Sequence, residues 1–296
     1  MKKTLIIMAW WLWLRYWWLK QIDWFGPNNE MIMEYSMYDA LKSWADQILV
    51  VIKREHEEQI TQKLWAKMLE KYPIRFVYQD MQAYIPQWID TDHRLKPRWT
   101  GHAVLVCKEY VMWSFVVINA DDWYGFSWMS KMFSLLEWLN GKNFAMIWYP
   151  LSKTMPKSWS VNRWICTVSW THLQSIQESH WIHRDGQQQT YTSNELQKIS
   201  PETIVSINFW WFSQHFFSVL QEQFLLFLEK YASDPKKEFY IPSVCNTLLE
   251  SHDASCLVAV SDEQWSWVTN IEDKPLLQEF LEEKVMSWYY PQKLRK

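Results

Sequence analysis

The sequence predicts an α/β protein built on a mostly parallel sheet with helices on both sides, a Rossmann-like arrangement. Two observations carry this. Helix-period and strand-period segments alternate through the first half of the chain, the order of βα units. The strand segments are short apolar runs of five or six residues, too short for helices and bounded by polar or turn residues. At 296 residues the chain is long enough to bury a large core.

Thr4–Met8 is the first such run. With Met1-Lys2-Lys3 before it and apolar residues on to Leu14, it resembles a secretory leader. It lacks a small-residue cleavage site, however, and Arg15 closes it well short of a membrane span, so it reads as a buried first strand. Met31–Lys42 reads as a helix and Gln47–Ile52 as a strand. Glu55–Tyr72 reads as one long helix, with charged residues between Ile60, Leu64, Met68 and Leu69. The strand Ile74–Tyr78 follows, then a basic loop from Arg94 to Ala103 and a helix to about Val111. Phe115–Asn119 is a strand that ends at Ala120-Asp121-Asp122. That ending marks a site candidate, because ligands of open α/β sheets bind beyond the carboxyl ends of the strands.

The second half is less regular. A polar stretch spans 187–200, a helix lies near Phe216–Tyr231, and Glu238–Pro242 and Trp265–Pro275 read as ordered turns. Phe209-Trp210-Trp211-Phe212 and Phe216-Phe217 read as core. No repeat or long linker divides the chain, so residues 1–296 are expected to form one unit with two halves, about 1–125 and 126–296.

A net charge of −3 and a pI near 6.3 give no basic domain for nucleic acid. Cys107, Cys166, Cys245 and Cys256 are widely spaced, which suits a reduced, cytoplasmic setting. His172, His180 and His183 lack carboxylate or cysteine partners at zinc spacing and read as solvent-exposed or hydrogen-bonded.

The tryptophans are anomalous. Average usage predicts roughly 21 glycines in a chain of this length. The chain has 5, and 24 tryptophans. Doublets such as Trp10-Trp11, Trp17-Trp18 and Trp210-Trp211, and Trp159 between Ser158 and Ser160, are poor packing choices but ordinary glycine sites. Many of them are expected to be UGA codons that the source reads as glycine. With glycine restored, Ala9 to Lys20 becomes a flexible loop after a strand, able to close its backbone N–H groups on phosphate oxygens.

In that form the opening, together with Thr100-Gly101-His102-Ala103 and Asn119-Ala120-Asp121-Asp122, resembles the sugar-phosphate nucleotidyltransferases, also called NDP-sugar pyrophosphorylases. Val161–Trp164, Glu238–Pro242 and Trp265–Thr269 resemble a bacterial branch of that family. As printed, the opening departs from the family at its glycines, and Leu14 replaces a small hydroxyl residue.

The resemblance implies a GT-A-like nucleotidyltransferase fold, with a nucleotide-binding first half and a sugar-phosphate-binding second half. It implies transfer of a nucleoside monophosphate from an NTP to a sugar 1-phosphate with release of pyrophosphate, without nucleic acid or membrane partners. Arg15 would fork onto triphosphate oxygens and Lys20 would place a charge beside the reacting phosphate. Ala9, Trp11, Trp13, Gln79, Thr100 and Gly101 would line the nucleotide. Asp121, with Asp122 and Asp273 as weaker candidates, would hold Mg²⁺. Asn162, Arg163 and Glu178 would face the sugar phosphate. Within the same fold, phosphocholine or another small phosphate is an alternative acceptor. Literal tryptophans would instead suit an inactive relative or an interfacial membrane binder.

Overall fold

The computed structural model describes residues 2–9, 14–15, 18–19, 23–64, 66–91, 99–135, 141–156, 159–184, 191–193, 198–260, 266–267 and 273–294. Strand β1 (Thr4–Met8) is buried along its whole length. A short ribbon follows, β2 (Leu14–Arg15) against β3 (Trp18–Leu19). Helix α1 (Ile32–Lys42) begins where the Glu34 carboxylate accepts the Met31 backbone N–H at 2.7 Å, satisfying one of the orphan donors of a helix start.

After β4 (Gln47–Ile52), the single helix expected over Glu55–Tyr72 is two: α2 (Glu57–Lys63) and α3 (Ala66–Lys71). Leu64, with ψ at 133°, is extended and ends the first. Then come β5 (Ile74–Tyr78) and α4 (Trp99–Leu105), which ends before the expected Val111 and gives way to a 3₁₀ turn at Lys108–Tyr110. β6 (Phe115–Asn119), β7 (Asp122–Trp123), α5 (Phe126–Leu135) and β8 (Phe144–Pro150) follow.

The second half is far more regular than its sequence reads. It supplies β9 (Val161–Ser169), β10 (His172–Arg184), β11 (Tyr191–Thr192), β12 (Lys198–Ile199), β13 (Ile204–Phe212), α6 (Phe216–Tyr231), α7 (Ile241–Glu250), β14 (Cys256–Val260), β15 (Ser266–Trp267) and α8 (Lys274–Met286). The segments expected as turns at Pro242 and Pro275 open α7 and α8 instead. Each proline sits in the first helical turn, where its missing N–H costs nothing.

β10 is hidden in the sequence by its two irregularities. The register against β9 shifts between Leu173 and Ser175 and again between Ser179 and Ile182. Its buried residues Leu173, Ile176 and Ile182 are therefore spaced in multiples of three, which erases the alternation that marks a strand.

The main sheet runs β12-β11-β10-β14-β8-β13-β6-β1-β4-β5, with β9 bridging β10 and β13. β5, β4, β1 and β6 are parallel. β13 enters antiparallel between β6 and β8, and β14 pairs parallel with β8, so the sheet is mixed. β1 shows why the centre reads as a continuous apolar run. Ile6 and Met8 face one core with α4, α6 and α7, while Leu5 and Ile7 face a second with α1, α2 and α5. Phe209, Trp210, Trp211 and Phe212 are fully buried, as expected of core.

The C-terminal helix α8 docks through Leu277, Leu281 and Val285 against Phe25, Tyr35 and Trp123. A buried relay ties this third cluster together: the Trp123 indole N–H donates to the Tyr290 hydroxyl at 2.8 Å, which donates to Asp39 at 2.7 Å. Tyr290→Phe removes the donor to Asp39 and strands the Trp123 N–H. It is expected to cost about 1–3 kcal/mol in urea unfolding, the range for leaving buried groups unsatisfied, and an unchanged midpoint would refute the relay.

Candidate functional site at the strand crossover

The chain runs β1, β4, β5 outward in one direction and then returns to place β6 on the other side of β1. The crevice beyond the carboxyl ends of β1 and β6 is thus a topological switch point, where open α/β sheets bind ligands. The strands end there in register. Met8 lies beside Asn119, the Ala120 N–H donates to the Met8 carbonyl at 3.1 Å, and the Ala9 N–H to that of Val51 at 2.9 Å. One strand further out, the Gln79 N–H donates to the Ile52 carbonyl at 2.9 Å. Ala9, Gln79 and Asp121 therefore leave the parallel strands β1, β5 and β6 at the same carboxyl edge of the sheet, with β4 between β1 and β5.

Asp121 and Asp122 are both buried. Asp122 accepts from Asn119 Nδ2 at 2.8 Å and from the Tyr124 hydroxyl at 3.2 Å. Burial, then the charge of Asp122, holds the Tyr124 phenol well above its ordinary range, so it stays a donor. Asp122 is thereby fixed by its own loop. The strand β15, from the Trp265–Thr269 motif, pairs with β7, setting Trp267 opposite Asp122. Asp273 precedes α8, next to Lys274, which pairs with Asp23 just past the 9–20 segment.

Gln79 is locked by a residue the sequence did not single out. His102 Nε2 lies 3.0 Å from the Ala83 carbonyl, which can only accept, so Nε2 carries the proton. Nδ1 is then an acceptor for Gln79 Nε2 at 3.1 Å. His102 sits in the Thr100–Ala103 motif, but nothing local pairs it with a residue 23 positions away. Beyond Gln79, residues Gln82, Ile85, Pro86, Trp88, Asp90 and Thr91 line an open cavity of about 490 Å³. Thr100 and Gly101 face the opposite demand. Thr100 Oγ1 accepts the Ile241 N–H at 3.1 Å. A Cβ on Gly101 would come within 2.5 Å of the Phe239 ring and 2.9 Å of its carbonyl oxygen. Both residues fasten α4 to the segment that opens α7.

On the second half, Arg163 is gripped by Thr154, donating to its carbonyl at 2.6 Å and its hydroxyl at 3.2 Å. Burial pushes the guanidinium down to about 10, opposed by the charge of Asp122, and it remains a cation at neutral pH. Asn162 Oδ1 accepts the Trp181 N–H at 3.0 Å within the second irregularity of β10. The register does not bring Glu178 to Arg163. Arg163 pairs with Ser179 and Glu178 with Trp164, so the two lie on opposite faces of the hairpin. Glu178 instead shares its face with Trp164, whose ring packs edge-on against Tyr240. Arg15 lies in β2 by its backbone, while Lys20, Trp11 and Trp13 lie outside the described residues.

No protein-family model matches the chain, and no curated protein matches it by sequence. Solved structures do. An apo UDP-glucose pyrophosphorylase superposes with a TM-score of 0.63 at 14% identity, over 96% of this chain and 99% of that one. A glucose-1-phosphate thymidylyltransferase from Bacillus anthracis gives 0.62 at 10%, over 95% and 96%. An inositol-1-phosphate CTP transferase from T. maritima gives 0.59 at 10%, over 95% and 97%. The fold is that of the sugar-phosphate nucleotidyltransferases. In this nucleotidyltransferase fold no described helix is long and apolar enough to cross a membrane.

Glu178 offers a test of its surroundings. Burial raises its carboxyl above the ordinary value of about 4.3, with the His180 charge opposing. A raised carboxyl pKa means that folding is penalised once the group ionises. Glu178→Gln and the parent are expected to melt together near pH 4, with the variant gaining as pH rises to 7; a gap that closes with pH refutes the burial.

Proposed function

We propose that the chain transfers a nucleoside monophosphate from an NTP to a sugar 1-phosphate, releasing pyrophosphate. The observation that carries this is the buried acid Asp121 immediately beyond β6, at the crossover beside the exit of β1. The solved structures that share the fold bear the names of enzymes of this class.

Nucleotidyl transfer asks little of protein nucleophiles and much of alignment and charge. In this reading residues 1–125 bind the nucleotide and 126–296 the acceptor. The Ala9–Lys20 loop wraps the triphosphate, Arg15 and Lys20 neutralise it, and Gln79, held by His102, meets the base edge. Thr100 and Gly101 support that wall from behind. Arg163, a cation near Asp122, is suited to the acceptor phosphate. Asn162 shapes the strand next to it.

Asp121 fits Mg²⁺ as a hard oxygen donor. Mg²⁺ takes one or two carboxylates and completes its shell from phosphates and water. Asp122 and Asp273 are its further candidate ligands. When bound, the ion would offset charge developing on the phosphates.

The test is release of pyrophosphate from a panel of NTP and sugar 1-phosphate pairs, with phosphocholine as the competing acceptor. The chain is assayed with glycine at Trp10, Trp11, Trp13, Trp17 and Trp18. Asp121→Asn is expected to lower kcat/KM at least 100-fold with the circular dichroism spectrum unchanged. Full activity in that variant would remove Asp121 from the site, and turnover only with phosphocholine would replace the acceptor class.

A further inference from the structure

Among the described residues eight non-glycine positions hold a positive φ, and four of them are tryptophans: Trp44 at 66°, Trp170 at 56°, Trp181 at 55° and Trp288 at 62°. Asn and His, which tolerate this region, account for three of the others. A bulky side chain there is an outlier, because its Cβ crowds the following carbonyl. Among the described glycines, Gly125 and Gly141 share the region.

Each tryptophan stands where backbone geometry asks for glycine. Trp44 follows α1 in a Schellman cap. Its N–H donates to the Leu41 carbonyl at 3.1 Å, and that of Ala45 reaches back to Ala40 at 2.9 Å. Trp288 follows α8 in the same position, with its N–H donating to Val285 at 3.2 Å. Trp170 is the first of two residues joining β9 to β10, and Thr171 beside it is not at positive φ. That is the type II′ hairpin, whose first central residue is glycine. Trp181 sits in the second register shift of β10, where a glycine bulge takes a positive φ. None of the four is held by packing; Trp170 is 98% exposed and Trp44 81%.

We infer that these four positions are glycine in the protein the cell makes, each encoded by UGA and decoded as glycine. Trp123 is the internal control. Its indole N–H is bonded to Tyr290, its ring meets Phe280 edge-on, and its φ is not positive. It is tryptophan, encoded by UGG.

The test joins the gene sequence to tandem mass spectrometry of peptides from protein purified from its source. UGA with a glycine-mass peptide at 44, 170, 181 and 288, and UGG with tryptophan at 123, is the expected result. UGG, or a tryptophan-mass peptide, at any of the four overturns the inference. A second measurement uses the recombinant chain carrying all printed tryptophans. Trp44→Gly and Trp170→Gly are each expected to raise Tm by roughly 2 °C or more, and a fall in both overturns the backbone argument. None of these readouts involves catalysis, so their failure is separate from a failure of pyrophosphate release.

Discussion

The constraint on which the rest of the structure depends is the position of β1. It lies between two parallel neighbours and beneath helices on both faces, so every side chain from Thr4 to Met8 is buried. Its backbone groups are satisfied by β4 and β6, and its exit at Ala9 has one direction left, into the crevice where the sheet order reverses. The same register sets Asn119 level with Met8 and so delivers Asp121 to the same edge. A one-residue slip of β6 would turn its apolar set to the wrong core and withdraw the acid together. Fold stability and site geometry are thus one property here.

The second half is anchored to this centre from two sides. β13 joins β6 to β8 and carries the aromatic core, and β7 pairs with β15 ahead of α8. The charge of Asp122 opposes the burial that lowers the Arg163 guanidinium. On the far face, Thr100 and Gly101 hold α4 against the start of α7, and α4 in turn presents His102 to Gln79. The segments around 100 and 238 therefore act on one another directly, which neither segment reveals alone.

The parallel half was legible because its signal is local: Thr4–Met8, Gln47–Ile52, Ile74–Tyr78 and Phe115–Asn119 match the strands residue for residue. Asp121 was legible as a site candidate for the same reason, since it ends an apolar strand. What failed was long-range or masked. β10 was lost because two register shifts break its period, and α7 and α8 because a proline in a first turn looks like a turn residue. The opposite facing of Arg163 and Glu178 needed a register that spacing alone does not supply. His102 was missed because its role rests on a carbonyl and an amide from separate segments.

The tryptophans divide by the same physics. A positive φ costs an L-residue about 1–2 kcal/mol, and four such sites on a marginally stable fold amount to a large share of its stability. Buried indoles split as well. Trp211, Trp128 and Trp159 carry N–H groups with no partner, whereas Trp123 donates to Tyr290 and Trp210 stacks on Phe212. Removing a fully buried ring such as Trp123, Trp210 or Trp211 opens a cavity worth about 3–5 kcal/mol, although at Trp211 it also relieves an unsatisfied donor. A uniform exchange of tryptophan for glycine would therefore empty the core at Trp123 and Trp210.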